Sequence, residues 1–203
     1  MTSVVKFTRE TASMTDPRDY YARALAQTEL IVATVRPGQL DDPTPCTEFS
    51  VRSLLSHIVG GINRTAIVGE GGDALAAPTR ADDVSDDGWP AAYAAASKRA
   101  TTAWVGDETL DAQVVVPWGT VPGRAALSGY VQEVLTHGWD LAAATGQETE
   151  GDPELAAWTL EISRRILPPE RRGGPVPFGP VVAVAADAGP YAQLAAWLGR
   201  APR

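Results

Sequence analysis

The chain carries two histidines in 203 residues, His57 and His137, and both fall in stretches with helical apolar spacing. His57 lies in Leu54-Leu55-Ser56-His57-Ile58-Val59-Gly60-Gly61, and His137 in Glu133-Val134-Leu135-Thr136-His137-Gly138-Trp139-Asp140-Leu141. Glu133 stands one helical turn before His137 on the same face, where side chains four apart lie roughly 5–6 Å from each other. Those two can chelate one ion, and His57 from a neighbouring helix completes a set of two imidazoles and a carboxylate. Such donors suit zinc first, with nickel or iron(II) also accommodated, and three protein ligands leave a position open for water or substrate. Separately, a helical Glu/His pair is an ordinary ion pair and a lone His an ordinary helix residue. With no spare histidine in the chain, the three together make a candidate mononuclear metal centre.

Asp140, three positions beyond His137, faces the same side. It is the candidate catalytic acid–base residue beside a metal-activated water, or an acceptor that orients an imidazole, with a solvated helix charge as the plain alternative. Arg64, about two turns beyond His57 on the same side, and Trp118, just ahead of the helix bearing Glu133, are candidate substrate-binding residues. Their plain readings are a solvated Arg and a packed Trp. The single Cys46 excludes an intrachain disulfide framework and a Cys-rich zinc site, and between Pro45 and Thr47 it reads as a small packed residue.

The elements that must position these residues are mostly helices. Asp16-Pro17 opens the first, whose apolar face runs from Tyr20 to Val35 before Arg36-Pro37-Gly38 ends it. Ser50 is the predicted N-cap of the second, which carries His57 to about Val68, with Phe49 and Leu54 placed as a hydrophobic staple. Gly60 and Gly61 interrupt its interior. Gly61, one turn past His57, leaves either room beside a metal or a close helix approach. After an acidic connection over 69–88, a third helix is expected from Pro90 to Trp104. Val114-Val115-Val116 followed by Pro117-Trp118-Gly119-Thr120 predicts a short hairpin or extended excursion. The fourth helix begins near Pro122 or Gly123, carries Glu133 and His137, and stops at Gly146. A fifth runs from Asp152-Pro153 to Leu167. The tail is expected to form a Val181–Val184 strand and a last helix over Pro190–Leu198. The fold class is therefore mainly α: a flexible leader at 1–15, a helical bundle over 16–167, and a small strand–helix extension over 168–203 packing on it.

A net charge of −8 argues against nucleic acid or an anionic membrane surface as partner. No apolar run approaches the ~18 residues of a membrane span, and Met1–Thr15 lacks an apolar signal core, so a cytoplasmic location is the expectation. Six tryptophans could fill a core or a dimer interface, and core is the better reading for a bundle of this size. Oligomeric state is not legible here.

The segment Thr44-Pro45-Cys46-Thr47-Glu48-Phe49-Ser50-Val51-Arg52-Ser53-Leu54-Leu55-Ser56-His57, taken with Glu133-x3-His137-Gly138-Trp139-Asp140-Leu141-Ala142-x2-Thr145-Gly146-Gln147, resembles the DinB superfamily. More narrowly, the chain is similar to the actinobacterial branch related to the N-terminal domain of mycothiol-dependent maleylpyruvate isomerase, through to the tail Leu194-x2-Trp197-Leu198-Gly199-Arg200. That resemblance implies a four-helix bundle holding a divalent ion, often zinc, on His57, Glu133 and His137. It also implies metal-dependent thiol chemistry, with mycothiol as co-substrate in a transferase or isomerase acting on a small electrophile. The tail is shorter than the isomerase's additional C-terminal domain, so the expectation is the general chemistry rather than maleylpyruvate isomerisation. A non-catalytic metal- or small-molecule-binding accessory protein has the same ligand set, as does a biosynthetic enzyme that no longer uses a free thiol.

Overall fold

Asp16 and Asp152 open helices as their Asp-Pro pairs predict. In the computed structural model, which describes residues 16–173 and 178–201, each accepts a hydrogen bond from a first-turn backbone N–H. The leader expected over 1–15 lies outside the described residues. Seven α-helices and one hairpin are described: α1 (Pro17–Ala33), α2 (Val51–Gly69), α3 (Trp89–Ala103), α4 (Asp107–Asp111), β1 (Gln113–Val116), β2 (Gly119–Pro122), α5 (Gly123–Thr145), α6 (Pro153–Ile166) and α7 (Pro190–Trp197).

The protein is mainly helical, and α1, α2, α3 and α5 form a DinB-like bundle. Helix α1 packs on α5 and α3, while α2 packs on α3 and α5. Tyr21, Leu54, Leu55, Ile62, Tyr93, Leu127 and Leu135 fill its centre, each at most 1% exposed. Trp104 is buried as well, its indole N–H donating to the Thr65 carbonyl at 2.9 Å. Of the remaining helices, short α4 packs on α5, while α6 and α7 pack on each other, with α6 against α5. Tyr191, Leu194 and Leu198 join the same core as the bundle.

Local signals explain most boundaries. Ser50 caps α2 through its hydroxyl, which accepts from the Ser53 N–H. Gly146 ends α5 in the left-handed conformation, φ 70°, that a side chain would resist. The excursion is a two-stranded antiparallel hairpin pairing Val114 with Val121 and Val116 with Gly119.

Two features differ from expectation. Helix α4 is only five residues long, too short to leave an apolar period in the sequence. The expected Val181–Val184 strand does not form: the segment is irregular, and Val182 N–H donates instead to the Ala196 carbonyl of α7 at 2.9 Å. With no neighbouring strand among the described residues to share its backbone groups, β-branched composition alone does not make a ladder. Among the described residues no helix is long and apolar enough to cross a membrane.

Candidate metal centre

Helices α2 and α5 lie side by side and each turns one histidine toward the other. The His57 and His137 rings are 4.9 Å apart between centroids and nearly perpendicular. Glu133 reaches the same point, its Oε1 3.3 Å from His57 Nε2. One donor atom from each of His57, Glu133 and His137 lies within 4.8 Å of the others. Bonds of about 2.0–2.1 Å at tetrahedral angles put neighbouring donors roughly 3.3 Å apart, so the His57–Glu133 spacing suits a shared ion. Inward-facing side chains on packed helices are a usual way to build such a site.

The protonation pattern fits too. Burial would raise the Glu133 carboxyl, but the hydrogen bond with His57 and the charges of both imidazoles and Arg64 hold it below the usual carboxylate range. Asp140 is fully buried, and there too burial is outweighed, here by hydrogen bonds with His137 and Arg200, which keep it ionised. An ionised carboxylate only accepts, so His137 Nδ1, 3.1 Å from Asp140 Oδ2, carries the ring proton. In the neutral ring, the form a metal ligand must take, that leaves Nε2 with its lone pair for a cation, the arrangement in which a carboxylate sets the tautomer of a ligating histidine. The residues present therefore fit a divalent ion.

Arg200 stands behind Asp140. Its Nε and Nη2 donate to the two carboxylate oxygens at 3.1 and 2.8 Å, and Nη1 donates to the Leu198 carbonyl at 2.8 Å. The pairing raises the guanidinium's pKa above its ordinary value despite burial. In the sequence Arg200 is visible only as the end of the resembling tail; nothing in local spacing ties it to a residue sixty positions away.

Three further residues surround the site without a periodic signal to announce them. Phe49, placed by the sequence opposite Leu54, stacks on His57 at 5.1 Å and meets the His137 ring edge-on at 6.3 Å. Arg80 lies over the Phe49 ring, 5.5 Å from its centroid. Its loop is pinned to α2 by paired bonds between Ser56 and Ala81, and Gly60 permits that approach, since a Cβ there would come within 2.6 Å of the Arg80 backbone. Gly61 is less constrained, a Cβ there meeting Glu133 Oε1 at an ordinary 3.8 Å. Cys46, read as a packed residue, is half-buried, and its sulfur lies within 4.8 Å of donor atoms on His137 and Asp140. Burial pushes its thiol up, although the nearby Arg200 charge opposes this. The candidate metal-binding cluster thus comprises His, Glu, Asp and Cys donors.

A cleft of about 240 Å³, its open mouth included, runs between α2 and α5 beside these donors. His57, Gly61, Thr65, Tyr130, Glu133 and His137 line it. Neither Arg64 nor Trp118 does. Arg64 Nη2 donates to the Ala77 carbonyl at 3.3 Å, while its charge reaches Glu133 and Tyr130. Trp118 is half exposed and packs on α5 at Gly129, its ring 5.2 Å from that of Tyr130.

Comparison with known proteins follows the same outline. Residues 21–142 match the family model described as the mycothiol maleylpyruvate isomerase N-terminal domain. Uncharacterized proteins from two strains of Mycobacterium tuberculosis are each 38% identical to this chain over 188 residues, covering 93% of it and all of theirs. A crystal structure of the mycothiol-dependent maleylpyruvate isomerase superposes with a TM-score of 0.57 at 16% identity, covering 71% of this chain and 66% of the other. A mutant form of that enzyme gives 0.56 at 14% identity, so the likeness to both is one of fold. The chain belongs to the family of the mycothiol maleylpyruvate isomerase N-terminal domain.

Proposed function

We propose that the protein is a metal-dependent enzyme that uses a low-molecular-weight thiol, mycothiol or a close analogue, to transfer to or isomerise a small electrophilic substrate. The carrying observation is the convergence of His57, Glu133 and His137 at one point, with Asp140 holding His137 in the tautomer a ligand requires. Those three residues would hold the ion, zinc first. Bound there, a divalent ion supplies Lewis acidity that lowers a thiol's pKa or polarises a carbonyl.

The chain's own residues do the rest. Glu133 contributes negative charge that favours a cation. Asp140, clamped by Arg200, orients His137. Its full burial and bidentate pairing fit positioning better than proton exchange with a substrate. The Phe49 ring stacks on one face of His57 and meets His137 edge-on, covering part of each imidazole. Arg64 and Trp118 support the cleft's lining residues from outside it, a more distant part in substrate binding than direct contact.

One observation favours the second reading, a metal-binding protein without catalysis: the enclosed part of the cleft has room for little more than a water-sized group. Incubating zinc-loaded protein with mycothiol and a panel of small electrophiles, maleylpyruvate among them, separates the two. The enzyme reading expects a thiol-dependent product by mass spectrometry, abolished by chelation and restored by zinc. Tight zinc binding with no thiol-dependent turnover of any electrophile would favour the binding protein.

A further inference from the structure

The cleft has a polar feature that the metal chemistry leaves unused. Along α2 it runs from His57 to Thr65, and along α5 from His137 back to Tyr130, so Tyr130 and Thr65 close the same end. Ile58, Ile62 and Val134 make the walls between apolar. The Thr65 hydroxyl is occupied, donating to the Gly61 carbonyl at 2.9 Å. Tyr130 is 3% exposed, and its hydroxyl is buried without a hydrogen-bond partner among the described residues. The buried Tyr93 hydroxyl donates to the Leu25 carbonyl at 2.9 Å, whereas that of Tyr21, outside the cleft's lining, is likewise unpartnered among the described residues. A buried hydroxyl left unpaired is costly, and a common reason for keeping one is a partner that is not part of the chain. Burial also pushes the Tyr130 phenol well above its ordinary pKa, so it stays protonated and can donate.

We infer that the Tyr130 hydroxyl is a specificity-determining hydrogen-bond donor that recognises an oxygen of the small molecule entering this cleft. The ligand class is then a small carboxylate or carbonyl compound rather than a bare alkyl one. This rests on the proposed metal centre, because the donors at the other end of the cleft hold the same molecule.

Cobalt(II)-loaded protein and its Tyr130→Phe variant, titrated separately with acetate and with propanethiol and followed by the visible absorption of the ion, test it. The expected result is acetate binding weakened roughly tenfold in the variant, the loss of one hydrogen bond to a charged acceptor. Propanethiol affinity and cobalt stoichiometry should be unchanged. Thermal stability of the ligand-free variant should be no lower than wild type, since no hydrogen bond among the described residues is lost. Equal acetate affinity in the two proteins would overturn the inference. So would a parallel loss for both probes, which marks a general disturbance of the cleft. Failure of wild type to take up cobalt would remove the metal centre and the inference with it. Discrimination with acetate, but no response to propanethiol, would retire the thiol reading and leave Tyr130's role standing.

Discussion

Arg200→Ala is expected to destabilise the metal-free protein by about 3–5 kcal/mol at neutral pH, the usual range when one partner of a buried ion pair is removed. Asp140 has no exposed surface, and Arg200 supplies two of the hydrogen bonds to its carboxylate. Without the guanidinium, a buried negative charge keeps only His137 as partner. The pH dependence has a definite sign. In the wild type the folded-state pKa of Asp140 is depressed, so its stabilising contribution is present above the unfolded value of about 3.9 and lost as pH falls through the lower folded value. In the variant, burial without Arg200 drives the carboxyl upward, and acid then relieves the penalty by protonating it. The stability gap between the two proteins should therefore be widest near neutrality and narrow as pH falls toward 4. Denaturant unfolding across that range measures it. A gap under ~1 kcal/mol at neutral pH would mean the pair is an exposed one in solution.

Glu133→Gln has the second large effect, on binding rather than stability. The amide keeps the size of the side chain and removes the charge that favours a cation. Changing a residue that merely supports a ligand typically costs 10–100-fold in metal affinity. Loss of a direct ligand should exceed roughly 100-fold on that scale. In the metal-free protein the cost should stay within about 1 kcal/mol, because the His57–Glu133 pair is partly exposed, at 20% and 37% of the side chains. Zinc competition against a chelator reads the first quantity. Thermal unfolding with and without zinc reads the second: wild type should gain stability on zinc addition and the variant should not. An equal gain in both proteins would remove Glu133 from the ligand set.

The helices and the three donors were legible because their signals are local. Asp-Pro openings, the Ser50 cap, the Gly146 stop and apolar faces at helical spacing fix α1, α2, α5 and α6 to within a residue or two. Glu133 and His137 are one turn apart, so their proximity follows from helix geometry alone. Their meeting with His57 needed only that α2 and α5 be neighbours, which they are. What escaped depends on long-range contact or on a hydrogen bond that is missing. Arg200 meets Asp140 across sixty positions. Cys46 and Phe49 sit in a loop with no period to show which way they face. Tyr130 fits the apolar face of α5 by its ring, and only the three-dimensional surroundings reveal that its hydroxyl has no partner among the described residues. The Val181–Val184 run carries strand-like composition but has no neighbouring strand among the described residues to pair with.

The proposed chemistry requires that His57, Glu133 and His137 hold an ion. Elemental analysis of tag-free protein beside a His57→Ala variant, both purified without chelator, asks this directly. The expected result is about one divalent ion, zinc first, per wild-type chain and little or none in the variant. Wild type that carries no metal and takes up none on reconstitution, or a variant that retains the full complement, would contradict it.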